Sequence, residues 1–118
     1  MEILISEDDE SIRTVMKLLL TECNATVHTV SDGQEALELL ESGKINFDVL
    51  ITDFNMPRMN GDQLVKEVFE RNIPLKKIIM ISGRWDNSDD MEELMNQHSN
   101  IKCLFKPFTP DAIIKAVF

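Results

Sequence analysis

The chain has 118 residues, enough for one ordinary domain and too few for two. Hydrophobic residues make up 43% and charged ones 28%, a globular balance with enough apolar side chains for a core. Acidic residues outnumber basic ones 21 to 12; the resulting charge of −9 argues against a nucleic-acid binder, whose affinity rests on Lys and Arg meeting phosphates.

The first apolar run is Ile3-Leu4-Ile5, followed at once by Ser6-Glu7-Asp8-Asp9. No basic segment precedes it, so no signal peptide is expected. Later runs such as Val49-Leu50-Ile51 and Ile78-Ile79-Met80-Ile81 are too short to span a bilayer. The expectation is a cytoplasmic chain without membrane contact. Asp9 or Glu10 opens a first helix that carries Ile12, Val15, Met16, Leu19 and Cys23 on one face. A second strand is expected at 25–30, with His28 facing solvent or a helix rather than a metal. Asp32-Gly33-Gln34-Glu35 resembles a capping box for the second helix. A third strand at 47–52 leads into Asp53, and Asn60-Gly61-Asp62-Gln63 is a second capping-box pattern. The fourth strand falls at 78–82, with Asp89 and Glu92 placed to cap the helix after it. The fifth falls at 101–105. Thr109-Pro110 then supplies a cap and a proline at the first helical position, where its missing N–H costs nothing.

Five short apolar runs alternating with helical segments predict an α/β fold. It is a doubly wound, flavodoxin-like (βα)5 domain over residues 1–118, with a five-stranded parallel sheet in the order 2-1-3-4-5. Unbroken apolarity points to strands buried on both faces. Cys23 and Cys103 show neither CxxC nor CxxH spacing, and with two histidines in the chain no zinc site is signalled. Cys23 reads as a small core residue, and Met16, Met56, Met59, Met80, Met91 and Met95 as core and groove filler.

In such sheets the working residues lie beyond the carboxyl ends of the strands. Glu7, Asp8 and Asp9 follow the first strand, Asp53 the third, Ser82-Gly83 the fourth and Lys106-Pro107 the fifth. Asp9 reads as a helix cap. Glu7, Asp8 and Asp53 against Lys106 leave two uncompensated negative charges, and two like charges about 4 Å apart repel by roughly 4 kcal/mol at an effective dielectric near 20. Either a pKa rises or a cation enters. Oxygen-only ligands favour a hard divalent ion, Mg²⁺ before others. The layout suits phosphoryl transfer with Asp53 as carboxylate nucleophile.

Over its whole length the chain resembles a bacterial two-component response-regulator receiver domain. The resemblance is carried by Ile3-Leu4-Ile5-Ser6-Glu7-Asp8-Asp9, Asp53-Phe54-Asn55-Met56-Pro57-Arg58-Met59-Asn60-Gly61, Ser82-Gly83 and Lys106-Pro107-Phe108 in order. Asp32-Gly33 followed by Glu35-Ala36-Leu37 also matches. The resemblance implies that Asp53 accepts a phosphoryl group from a sensor histidine kinase or phosphotransfer protein. It implies Mg²⁺ held by Glu7, Asp8, Asp53 and the backbone carbonyl of Asn55. Lys106 pairs with the acids and then with phosphoryl oxygens, Ser82 transmits their presence, and the Lys106-Pro107 bond is cis. Asn55 and Arg84 are the positions expected to tune phosphoaspartate lifetime, and Trp85 stands on the same loop as Arg84. An unnamed output protein would read the state. The family usually carries Tyr or Phe at the switch position occupied here by Cys103.

Other readings are weaker. A metal-dependent phosphohydrolase would need its nucleophile after the first strand, in a DxDx[T/V] motif that Asp8-Asp9-Glu10-Ser11 fails. A flavin module would want a phosphate loop where this chain has Glu7-Asp8-Asp9. A receiver-like scaffold that is never phosphorylated is supported by Cys103 alone.

Overall fold

In a computed structural model, residues 1–83 and 89–118 of the protein are described, the side chains of 89–91 excepted. Among these residues ten elements alternate: β1 (Glu2–Ser6), α1 (Glu10–Glu22), β2 (Thr26–Val30), α2 (Gly33–Ser42), β3 (Val49–Asp53), α3 (Gly61–Glu70), β4 (Lys77–Ser82), α4 (Asp89–Gln97), β5 (Ile101–Phe105) and α5 (Pro110–Val117). All four strand pairings are parallel, and the order is β2-β1-β3-β4-β5, as the alternation predicts. No helix among the described residues is long and apolar enough to cross a membrane.

The helix starts follow the caps. Asp9 accepts from the Ile12 N–H at 3.0 Å, Asp32 from Glu35 at 2.8 Å and Thr109 from Ala112 at 3.1 Å. At α3 the Gln63 side chain accepts from the Asn60 N–H at 3.2 Å, the reciprocal arm of the capping box expected there. At α2 the reciprocal bond shifts by one residue: the Glu35 carboxylate accepts from the Ser31 N–H at 3.4 Å.

Side-chain alternation divides the interior into two cores. Leu4, Leu50, Ile78 and Met80 face one side, under α2, α3 and α4. Ile3, Ile5, Val49, Ile51, Ile79 and Ile81 face the other, under α1 and α5. Only the inner strands are closed on both faces. The edge strands β2 and β5 are part exposed, which corrects the expectation of uniform burial: an edge strand has one neighbour and less helix cover.

Three smaller corrections concern local packing. β3 starts two residues later than expected, and Phe47 instead packs edge-on against His28. His28 also lies 2.8 Å from the Glu2 carboxylate. On α1, Leu20 is buried while Val15 is 54% exposed, because the face turned to the sheet runs through Met16 and its neighbour one turn on. Cys23 is the half-buried C-cap of that helix, its N–H bonded back to Leu20, rather than a core residue.

Candidate phosphoacceptor site

The strand ends deliver the predicted residues to one rim. Glu7 is fixed through both its backbone groups: its N–H donates to the Val30 carbonyl at 3.1 Å, and its carbonyl accepts from the Arg13 guanidinium at 2.8 Å. Asp53 closes β3, and the next N–H, that of Phe54, is tied to the Ile81 carbonyl. Lys106 follows β5, its N–H bonded to the Ser82 carbonyl at 2.8 Å, and the Lys106-Pro107 bond is cis. Asp53 shares its face of the sheet with Val49 and Ile51, the α1/α5 side.

There the charges meet. Lys106 Nζ donates to Asp53 Oδ2 at 2.9 Å and to Glu7 Oε1 at 3.2 Å. Burial works against the Lys106 charge, but the two carboxylates outweigh it and hold the ammonium above its usual range. Glu7 is fully buried, and its Oε2 finds no donor among the described residues. Burial first, then the nearness of Asp53, push the Glu7 carboxyl from 4.5 up to about 8, against the pull of Lys106.

This has a measurable consequence in metal-free protein. The folded chain keeps a proton on Glu7 at pH values where the unfolded chain has lost it. The stability this group contributes is therefore full below about 4.5 and is lost as pH rises through about 8. The slope is at most about 1.4 kcal/mol per pH unit. Thermal melts in chelator should show the wild type losing more stability than Glu7→Gln as pH rises across that window. Parallel curves would refute the assignment.

The donor set fits a hard cation. Glu7, Asp8 and Asp53 each offer a carboxylate oxygen, all within 4.8 Å of one another, and Glu7 Oε2 is a buried oxygen that finds no hydrogen-bond partner among the described residues. Asp8 is exposed, on the open side of the cluster. Asn55 stands at the exposed start of the loop after β3. Ser82 is buried at the end of β4. Arg84 and Trp85 lie outside the described residues.

Cys103 does not join the site. Its thiol, raised by burial, donates to Met95 Sδ on α4 at 3.4 Å. In the register Cys103 pairs with Met80, while Ser82 pairs with Phe105, which is 52% exposed. Met16, Met56 and Met80 are buried, and Met59 and Met95 pack against the core, as filler residues do; Met91 lies among the side chains not described. Met56 does more, accepting the Ser6 hydroxyl at 2.9 Å. Sequence reasoning missed two arginines, Arg13 on the Glu7 carbonyl and Arg58 on Asp32, because neither pairing follows from a motif.

A five-stranded doubly wound sheet with a buried acid pair bridged by lysine at its carboxyl rim defines a flavodoxin-like module of the receiver type. The family model for the response regulator receiver domain matches residues 3–118, and the chain belongs to that family. It is 34% identical over 108 residues to the two-component response regulator ARR10 of Arabidopsis thaliana, covering 91% of this chain but 19% of that protein. It is also 34% identical over 115 residues to a chemotaxis protein CheY homolog of Campylobacter jejuni, covering 96% of this chain and 86% of the homolog. Among solved structures, the Francisella response regulator 1452 receiver domain superposes with a TM-score of 0.82 at 30% identity, covering 98% of this chain and 92% of that one. Vibrio cholerae CheY4 gives a TM-score of 0.80 at 30% identity, covering 98% and 94%. The chain thus spans about a fifth of the plant regulators it matches.

Proposed function

We propose that this domain takes a phosphoryl group onto Asp53 from a phosphohistidine of a sensor histidine kinase or phosphotransfer protein, and signals its state by contact with an output protein. The reading is carried by the Lys106 ammonium held between Asp53 and Glu7 at the rim where the strands end. An Asp53 oxygen forms the bond to phosphorus while the bond to the donor nitrogen breaks, and that electron pair stays on the imidazole. Mg²⁺, held by Glu7, Asp8, Asp53 and the Asn55 carbonyl, supplies neutralising charge for the phosphoryl oxygens. Lys106 exchanges carboxylate contacts for phosphoryl ones, and the Ser82 hydroxyl is the second group to meet them. Asn55 borders the approach of water that ends the state, and the expected tuning by Arg84 falls on a residue outside those described. The domain processes only its own aspartate.

The test is intact mass after incubation with Mg²⁺ and a small acyl phosphate. A gain of one phosphoryl group in wild type and none in Asp53→Asn is expected. A gain retained by the variant, or none in wild type with Mg²⁺ bound, would overturn the reading.

A further inference from the structure

The loop after β3, residues 54–60, carries Asn55 and is closed at its base, where the Gly61 N–H donates to the Phe54 carbonyl at 2.7 Å. Its tip is held by a different element. Arg58, in the left-handed region at φ +64°, turns its guanidinium onto Asp32, the N-cap of α2, 26 residues earlier in the chain. Nε reaches Oδ2 at 3.1 Å, and Nη2 reaches Oδ1 at 3.1 Å and Oδ2 at 2.9 Å. Such a fork fixes orientation as well as distance. Asp32 is a firm anchor: its carboxylate also accepts the Glu35 N–H. Burial disfavours its charge, yet the Glu35 N–H and Arg58 hold the carboxyl below its usual range. The contact continues beside it, since a Cβ on Gly33 would come within 2.2 Å of the Met59 carbonyl oxygen. The loop is therefore seated on the first turn of α2.

We propose that Asp32 and Arg58 form a positioning clamp that places the Asn55 carbonyl, and thereby sets how tightly the acidic rim holds its divalent cation. This rests on the reading above, in which that carbonyl is one of the ligands. Neither residue touches the cation. The clamp fixes the loop from outside the acid cluster, so its loss leaves the carboxylates in place and loosens the fourth donor.

Calorimetric titration with Mg²⁺ separates this from bulk electrostatics by the sign of the effect. By charge alone, Arg58→Gln removes a cation and should tighten Mg²⁺ binding, while Asp32→Asn removes an anion and should weaken it. The clamp predicts that both weaken it, each about threefold, and that the double variant is no worse than either single one. Asn keeps the cap, so α2 is preserved in that variant. Arg58→Gly relaxes the left-handed backbone yet loses the fork, and should also weaken binding while keeping or raising the melting temperature. Opposite signs for the two single variants, or unchanged Mg²⁺ affinity in all of them, would overturn the clamp and leave the proposed function standing. A wild-type protein that binds no Mg²⁺ would remove both.

Discussion

Lys106→Ala is expected to tighten Mg²⁺ binding while slowing phosphoryl acceptance, two effects of opposite sign from one side chain. The ammonium stands 2.9 Å from Asp53 and 3.2 Å from Glu7, where it would compete with the proposed divalent ion for the same carboxylates. Solvent reaches 29% of its side chain and screens the pairs, so a gain of about tenfold in Mg²⁺ affinity is expected, not the several kcal/mol of a dry site. Phosphoryl transfer loses a cation aimed at the oxygens that arrive, which costs on the order of 10²-fold in rate. Mg²⁺ titration and the rate of mass gain with an acyl phosphate measure the two separately. A variant slowed in transfer with weaker Mg²⁺ binding would point to a collapsed rim, and the charge argument would fail.

Gly61→Ala is expected to cost about 3 kcal/mol or more, although the residue is helical and alanine is the better helix former. A Cβ there would lie 2.2 Å from the Asp53 carbonyl oxygen and 2.9 Å from Met80 Sδ. The sulfur belongs to a flexible side chain and can give way, but the carbonyl is backbone in the central strand. Relief must come from moving α3 away or bending the strand that carries Asp53. The melting temperature should fall by roughly 10 °C or more for a domain of this size. A control change at Gly43, which has open space around it but a φ of +66°, should cost only the smaller backbone penalty. A fall at Gly61 no larger than at Gly43 would contradict the close approach.

Much of this was legible in the residues. The five apolar runs set the strand count, and Asp9, Asp32 and Thr109 announce helix starts that the structure keeps. Parallel order then forces all strand ends to one rim, so Glu7, Asp53 and Lys106 meet although 99 residues separate the first from the last. What stayed hidden depends on packing, not pattern. Val15 and Leu20 are both aliphatic and both on α1, and only the docking angle of the helix decides which is covered. Glu7 and Asp8 are neighbours in sequence, yet one is buried and the other exposed, because Glu7 is tied back to the Val30 carbonyl just past the strand end while Asp8 stands on the open side of the cluster. The Asp32–Arg58 fork joins two turns whose approach is a property of the folded rim alone.

The alternation that splits the interior into two cores also divides the labour at the rim. Asp53 stands with Ile51 on the α1/α5 side of the sheet, where Lys106 and Glu7 reach it. Ser82 stands with Met80 on the α3/α4 side, beside Phe105 and in line with Cys103. Acid chemistry and hydroxyl thus occupy opposite banks of the same sheet, kept apart by close-packed strands along its whole length. A phosphoryl group on Asp53 would project past the last residues of those strands, where the partition ends, and there the far bank comes within its reach.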